Sequence, residues 1–373
     1  MWSVSMWARG LNTVFSGTVS AHSDASGDQE INIWVPFAAG GLLPGTPAYV
    51  AIVGYKLVFD DNTDSDLDAI RIEQATQSPA GGYGNWSAGS YVADPYGLVR
   101  GLFFVQFTDN CPILACHPFT CTVDYIVLGE SGQPSLAGYT KWYPNYIGTG
   151  EARGSSSGGA AVATVSGTGF EGGSSVFVAL TGWHFVFRGN EDYPIHEIGM
   201  STQDEVNGRW EYRNEFRVRD DGSFRGRYVA VFDDDEDDDA YDLVINYVVI
   251  GMVAPTYARY KSNVFPKALA TVMGWQQGRG SGNAYFTGTS FYEATTVYPI
   301  LSGFGFNFSG EYSIHEVRIS PMKAVLGGYE FSSELPVDSA GRVQGRYFLA
   351  FNDDGDDEAF SFLVDYLLLG YGP

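Results

Sequence analysis

The stretch GRYVAVFDDDEDDDAYDLVINYVVIG, Gly226 to Gly251, recurs almost residue for residue as GRYFLAFNDDGDDEAFSFLVDYLLLG, Gly345 to Gly370. Repetition on this scale constrains the fold strongly, because every copy must bury its own apolar faces with nearly the same pattern. A weaker copy, GLFFVQFTDNCPILACHPFTCTVDYIVLG, runs from Gly101 to Gly129 and keeps Asp124, Tyr125 and the closing glycine. The repeat extends upstream. VFVALTGWHFVFRGNEDYPIHEIGMS from Val176 matches VYPILSGFGFNFSGEYSIHEVRIS from Val297, and more loosely YVAIVGYKLVFDDNTDSDLDAIRIE from Tyr49. VSGTG at Val165, FTGTS at Phe286 and FSGTV at Phe15 mark a common first strand. The closing glycines lie 122 and 119 residues apart, a domain-sized period. The expectation is three tandem domains, 1–135, 136–256 and 257–373, with ESGQPSLAG after Gly129 and MVAPT after Gly251 as linkers.

Each copy reads as strands. The 45% hydrophobic and 15% aromatic content excludes a disordered chain, but the apolar residues come in short Val/Ile/Tyr/Phe pieces broken by 47 glycines. No stretch keeps a helical period for long. In the second copy the expected strands are 160–170, 175–187, 195–202, 210–219, 223–232 and 242–250, separated by turn signals such as VNG at Val206 and RDDG at Arg219. Alternation in RYVAVF and LVINYVVI gives each strand one buried face, so the fold class is all-β, with antiparallel six-stranded β-sandwiches in tandem.

A formal net charge of -23 sets a field that repels phosphate backbones and anionic lipid headgroups, which disfavours nucleic acid and membrane partners. No apolar run is long enough to insert in a bilayer, and MWSVSMWARG lacks the pattern of a cleavable secretory signal.

The acidic blocks sit between strands and are expected at hairpin tips. There they act as solvated charge that blocks edge-to-edge association, or as a calcium site formed by Asp233, Asp234, Asp235 and Asp237 in one copy and Asp353, Asp354, Asp356 and Asp357 in another. Neither block follows the spaced calcium-loop pattern. Apart from calcium, no cofactor is expected. Cys111, Cys116 and Cys121, spaced C-x4-C-x4-C with His117 alongside, are open to three readings: a disulfide with one free thiol, a zinc site, or three reduced thiols.

Catalytic signatures are missing. The pairs His196-Glu197 and His315-Glu316 alternate along a strand and are expected on opposite faces; HExxH and GxSxG do not occur. The glycine-rich GEARGSSSGG and GRGSGNAYFTG read as structural loops. A non-enzymatic chain is expected. NWS at Asn85 and NFS at Asn307 are glycosylation sequons, relevant only in a glycosylating compartment.

The pairing of VFVALTGWHF, read as an apolar strand, a Thr-Gly turn and an outward aromatic, with the final strand VINYVVIG resembles the H-type lectin domain. That resemblance implies a six-stranded antiparallel sandwich, trimeric assembly and galactose-type ligands, with related domains on phage fibres. Where the family ends on a Trp-bearing strand this chain has Tyr125, Tyr247 and Tyr366, so no sugar-binding residue carries over. Trp183, Trp210 and Trp86 remain candidates for stacking on pyranose faces.

Together these features point to a structural or adhesive protein of a virion or extracellular appendage. Its expected partners are itself or other structural proteins of the assembly, and a cell-surface glycan is compatible with that role. A soluble lectin and a glycan hydrolase are the alternatives. Three linked copies are also expected to form by themselves a compact pseudo-threefold trimer rather than an extended row.

Overall fold

The computed structural model describes residues 7–8, 13–22, 32–59, 69–77, 83–87, 89–108, 118–129, 146–156, 159–188, 195–213, 215–233, 240–251, 264–276, 281–289, 291, 294–312, 316–352 and 360–371. Every regular element among them is a β-strand. The first third contains β1 (Trp7–Ala8), β2 (Thr13–His22), β3 (Asn32–Ala39), β4 (Pro47–Phe59), β5 (Ala69–Gln77), β6 (Tyr83–Ser87), β7 (Ser90–Val92), β8 (Val99–Thr108) and β9 (Phe119–Gly129). The middle third contains β10 (Tyr146–Ser156), β11 (Ala161–Gly167), β12 (Ser175–Phe187), β13 (Ile195–Val206), β14 (Arg209–Tyr212), β15 (Glu215–Arg217), β16 (Phe224–Asp233) and β17 (Tyr241–Gly251). The last third contains β18 (Val264–Gln276), β19 (Ser281–Gly288), β20 (Thr296–Tyr312), β21 (Glu316–Val325), β22 (Gly328–Phe331), β23 (Leu335–Pro336), β24 (Val343–Asn352) and β25 (Phe360–Tyr371).

These strands form three antiparallel sheets, and no sheet is confined to one copy of the repeat. One runs β1-β10-β17-β12-β5-β8-β3, the second β11-β16-β13-β20-β25-β18, and the third β19-β24-β21-β4-β9-β2, with the short strands β15 and β6, β14 and β23, and β22 and β7 paired at their flanks. The long strands of each are three of one copy continued by three of another. The seams are β12 on β5, β13 on β20 and β21 on β4, so the first copy joins the second, the second joins the third, and the third returns to the first.

Within a copy the two half-sheets face each other as a β-sandwich. In the first, Phe37 of β3 and Phe103 of β8 meet Tyr125 of β9 at 5.2 and 5.7 Å between ring centroids. In the second, Phe187 of β12 stacks on Phe232 of β16 at 4.1 Å. In the third, Phe286 of β19 meets Tyr366 of β25 at 4.9 Å. This is the alternation read from the sequence put to use: one face of each strand buries its aromatic and branched residues between the sheets.

A second apolar cluster has no counterpart within any single copy. It gathers Tyr49, Ala51, Ile126 and Leu128 of the first, Ala179, Val248 and Ile250 of the second, and Tyr298, Ile300, Leu367 and Leu369 of the third. Here the other face of β4, β12 and β20, and of the strands beside them, is also buried. That is why YIVLG, YVVIG and YLLLG read as continuous apolar runs instead of alternating.

β4, β12 and β20 each carry an irregularity at one matching place, where the register against the neighbouring strand shifts between Ile52 and Gly54, Leu180 and Gly182, and Leu301 and Gly303. The Thr-Gly expected to be a turn is thus a β-bulge inside one continuous strand. The extra residue reverses which face the following side chains take. Tyr55, Trp183 and Phe304, each directly after the glycine, turn inward and meet at 4.8, 5.2 and 5.8 Å, one ring from each copy in a closed triangle.

Two expectations about strands change. GEARGSSSGG and GRGSGNAYFTG are not loops: residues 150–156 belong to β10 and residues 281–288 to β19, with low β-propensity offset by full pairing along β17 and β24. The strand expected at 210–219 is split into β14 and β15, which pair with different sheets. The VNG signal is a two-residue hairpin turn, with Val206 paired to Arg209 and both Asn207 and Gly208 at positive φ.

Tyr228 and Tyr347, the tyrosines of the repeated Gly-Arg-Tyr, are wholly buried, and neither hydroxyl has a hydrogen-bond partner among the described residues. The first copy has Phe103 at this place. Tyr228→Phe is therefore expected to stabilise the protein by about 1 kcal/mol, since it removes a desolvated hydroxyl and keeps the ring. Thermal melting checks this, and a lower melting temperature would contradict it.

Candidate functional site

The three seams are chemically different although their backbones match. Register places Arg71, Gly199 and Arg318 at one equivalent position on β5, β13 and β21, opposite His184, Gly305 and Lys56 respectively. Flanking residues such as Ile70, Ile72, Ile198, Met200, Val317 and Ile319 point into the cores, so the equivalent position faces away from them.

At the seam between the first and second copies, the Arg71 guanidinium lies 4.6 Å from the ring centroids of both Trp86 and Phe104. It also forms a salt bridge with Glu73, whose other carboxylate oxygen accepts a hydrogen bond from Asn246 Nδ2 at 3.0 Å. Opposite it, burial and the cations Arg71 and Arg153 push the His184 pKa down to about 3, so the imidazole is neutral at ordinary pH. Gln74 donates to the Thr181 carbonyl at the bulge of β12 at 2.6 Å and accepts from the Tyr91 hydroxyl.

At the seam between the third and first copies, the Arg318 guanidinium lies 3.9 Å from the Phe331 ring centroid and 5.2 Å from that of Phe348. Burial lowers its pKa, while the carboxylates of Glu316 and Asp124 act in the opposite direction. Lys56 pairs with Glu316 at 3.6 Å, and Ser16 donates to Glu334 at 2.5 Å. Two seams of three are therefore filled in the same way, by an arginine packed against a pair of aromatic rings that meet edge to face.

The remaining seam is open. Gly199 faces Gly305, and a groove of about 400 Å³ runs over them, lined by Glu197, Tyr212, Val229, Asn307 and Leu363 among others. Tyr212 takes the place of Trp86 and Phe331, and Val229 that of Phe104 and Phe348. Tyr212 is 70% exposed. Glu197 accepts a hydrogen bond from Asn307 Nδ2 at 2.9 Å. At the inner end stands Asp365, only 2% exposed, in the position that Asp124 holds beside Arg318.

The aromatic residues expected to stack on sugars are placed as follows. Trp183 is 0% exposed, a member of the aromatic triangle, and therefore closed to any ligand. Trp210 is half-buried with Arg227 4.3 Å over its ring. Trp86 is 56% exposed, one face on Arg71. None of the three belongs to the groove. Sequence reasoning missed the groove because its signal, Gly199 standing where the other copies have Arg71 and Arg318, acquires meaning only once the seams are known.

Cys121 is buried in the core of the first sandwich on β9, where burial pushes its thiol pKa up; Cys111, Cys116 and His117 lie outside the described residues. The calcium candidates Asp234, Asp235, Asp237, Asp353, Asp354, Asp356 and Asp357 also lie outside them, and Asp233 ends β16. The flanking strands correct the expected hairpins. β16 and β17 lie in different sheets, as do β24 and β25, so each acidic segment connects the two sheets of a sandwich. Among the described residues no group of three or more His, Cys, Asp or Glu side chains is placed to hold a metal ion. Of the two His-Glu pairs, Glu197 lines the groove and Glu316 pairs with Lys56, while the His196 side chain and His315 lie outside what the structure describes. Of the sequon asparagines, Asn85 is exposed and the Asn307 amide is engaged by Glu197.

No family model matches this chain, and no curated protein matches it. Solved structures align with it weakly. An atomic structure of Sulfolobus Turreted Icosahedral Virus is 7% identical over 97% of this chain and 91% of its own, with a TM-score of 0.16. The infectious bursal disease virus Gx strain is 10% identical over 99% and 86%, with a TM-score of 0.19. A peptide-N(4)-(N-acetyl-beta-D-glucosaminyl) asparagine amidase is 8% identical over 66% and 99%, with a TM-score of 0.26. Overlap at these scores carries no argument about function.

Proposed function

We propose that this chain is a non-enzymatic structural or adhesive protein of a virion or extracellular appendage, in which three tandem six-stranded sandwiches close into a pseudo-threefold ring. The observation that carries the reading is the cyclic sharing of sheets. Each seam extends a hydrogen-bonded sheet from one copy into the next, and the last returns to the first. The central cluster then buries a common apolar surface. Such a ring resists shear and local opening, because loosening one copy breaks two sheets and the shared core. The acidic surface supports solubility for a chain this rich in strands. Its partners in this reading are further copies of itself or other proteins of the same assembly.

Carbohydrate binding is a second reading, favoured by the exposure of Trp86. It adds to the structural role without replacing it, and a glycan array separates the two.

The direct test is mass spectrometry of purified particles or appendages from the source. The chain is expected as a stoichiometric component that survives high-salt washing. Its absence there, with recovery in the soluble fraction, would overturn the proposal.

A further inference from the structure

We propose that the groove at the seam between the second and third copies is a receptor for an arginine side chain presented by a partner protein, with the guanidinium stacked on Tyr212 and facing Glu197. The inference does not depend on where the protein resides, and it rests on a comparison that the molecule makes with itself. Three seams share one backbone register, and at two of them a guanidinium packs against an edge-to-face pair of aromatic rings, Arg71 on Trp86 and Phe104, Arg318 on Phe331 and Phe348. The third keeps one wall ring, Tyr212, and replaces the arginine by Gly199. The residue across the seam, Lys56 or His184 elsewhere, is here Gly305. The groove occupies the volume that these side chains would fill.

Glycine is enforced at this position. A Cβ on Gly199 would lie 2.6 Å from the Gly305 Cα and 2.7 Å from the Phe304 carbonyl oxygen, so the two strands approach too closely for a side chain to rise from the floor. A guanidinium can therefore enter only from outside the seam.

The lining selects for that group. Its carboxylates are Glu197 and Asp365, the latter in the place of the carboxylate that acts on Arg318. The rest of the surface is chiefly apolar, with Val229, Phe306 and Leu363. Arginine combines a long apolar stem with a planar, weakly hydrated cation that stacks on aromatic rings, whereas a lysine ammonium holds its water more strongly. A net charge of -23 draws such a cationic segment to the surface in the first place.

The test titrates the full chain with N-acetyl-arginine amide, and in parallel with the corresponding lysine and citrulline amides, following saturation-transfer NMR. Arginine is expected to bind best and citrulline, its uncharged isostere, worst. Glu197→Gln is expected to weaken arginine binding by about threefold to fivefold, the scale of a partly exposed ion pair. Val229→Phe restores the second ring found at the other two seams and is expected to tighten binding by about twofold to fivefold, as an added cation–π contact does. Tyr212→Ala, at an exposed position that the fold tolerates, should weaken it by a similar factor. The proposal is overturned if citrulline binds as well as arginine, if Val229→Phe excludes the probe, or if Tyr212→Ala leaves its affinity unchanged. Binding of apolar probes alone would identify the groove as an apolar docking site and overturn it as well.

Discussion

Trp183→Ala is expected to destabilise the protein by about 3–5 kcal/mol, the cost of removing a large buried aromatic from a packed core. Trp183 is one corner of the triangle with Tyr55 and Phe304, and these three residues come from three different copies. The cavity would open where the seams converge, and collapse to refill it would have to distort all three sheets. One contribution works the other way. The Trp183 indole nitrogen is buried with no hydrogen-bond partner among the described residues, so truncation also removes a desolvated donor. Trp183→Phe separates the two, because it keeps a ring and loses the donor. It also reproduces the residue used at Phe304, and a cost below about 1.5 kcal/mol is expected. Chemical denaturation measures both variants. Equal melting of Trp183→Ala and the parent protein would show that the triangle does not hold the copies together.

The second large effect is expected from the glycines immediately before the three residues of that triangle. A Cβ on Gly54 would lie 2.5 Å from the Ile319 carbonyl oxygen, on Gly182 2.6 Å from that of Ile72, and on Gly303 2.4 Å from that of Met200. Each contact crosses a seam to backbone that has no freedom to yield without parting the strands. Gly303→Ala should therefore cost about 3 kcal/mol, at the upper end for overpacking, and speed hydrogen exchange along β13 and β20. Gly173 provides the control: its φ is +77° but nothing lies within 4 Å of its Cβ position, so alanine there brings conformational strain alone, about 1 kcal/mol. If the two variants melt alike, backbone conformation and not seam contact decides the cost.

Much of the architecture was legible in the residues. Strand period, the repeat and the Asn-Gly turn all report local chemistry, and each copy of the repeat states it again. The axial surface left a trace too, in YIVLG, YVVIG and YLLLG, runs that bury both faces. What the sequence does not carry is which copy a strand edge pairs with. Backbone hydrogen bonds are the same whatever the partner, so the exchange of sheets between copies leaves no pattern in any one of them. The misplacement of Trp183 has a narrower cause. A single bulge at Thr181 reverses the facing of everything after it, and a Thr-Gly pair marks bulge and turn alike. The acidic segments were expected at hairpins because their flanking strands are adjacent in sequence, yet those strands lie in opposite sheets. The groove was hidden for the same reason as the seams, since Gly199 is unremarkable until Arg71 and Arg318 are seen to stand in its place.

The seam of β21 on β4 also sets a timetable for synthesis. β7 covers the start of this β4 edge, at Pro47 to Tyr49, but among the described residues only β21 pairs with Tyr55 to Val58, where Glu316 meets Val58. A ribosome adding roughly 5–20 residues per second leaves this second half of the β4 edge without β21 for some tens of seconds after it emerges. During that time a long apolar strand presents open amide and carbonyl groups to any neighbouring nascent chain. Lys56 lies on that edge, and its charge guards the strand until Glu316 arrives to pair with it. The ion pair of the finished ring thus begins as a safeguard against joining the wrong molecule.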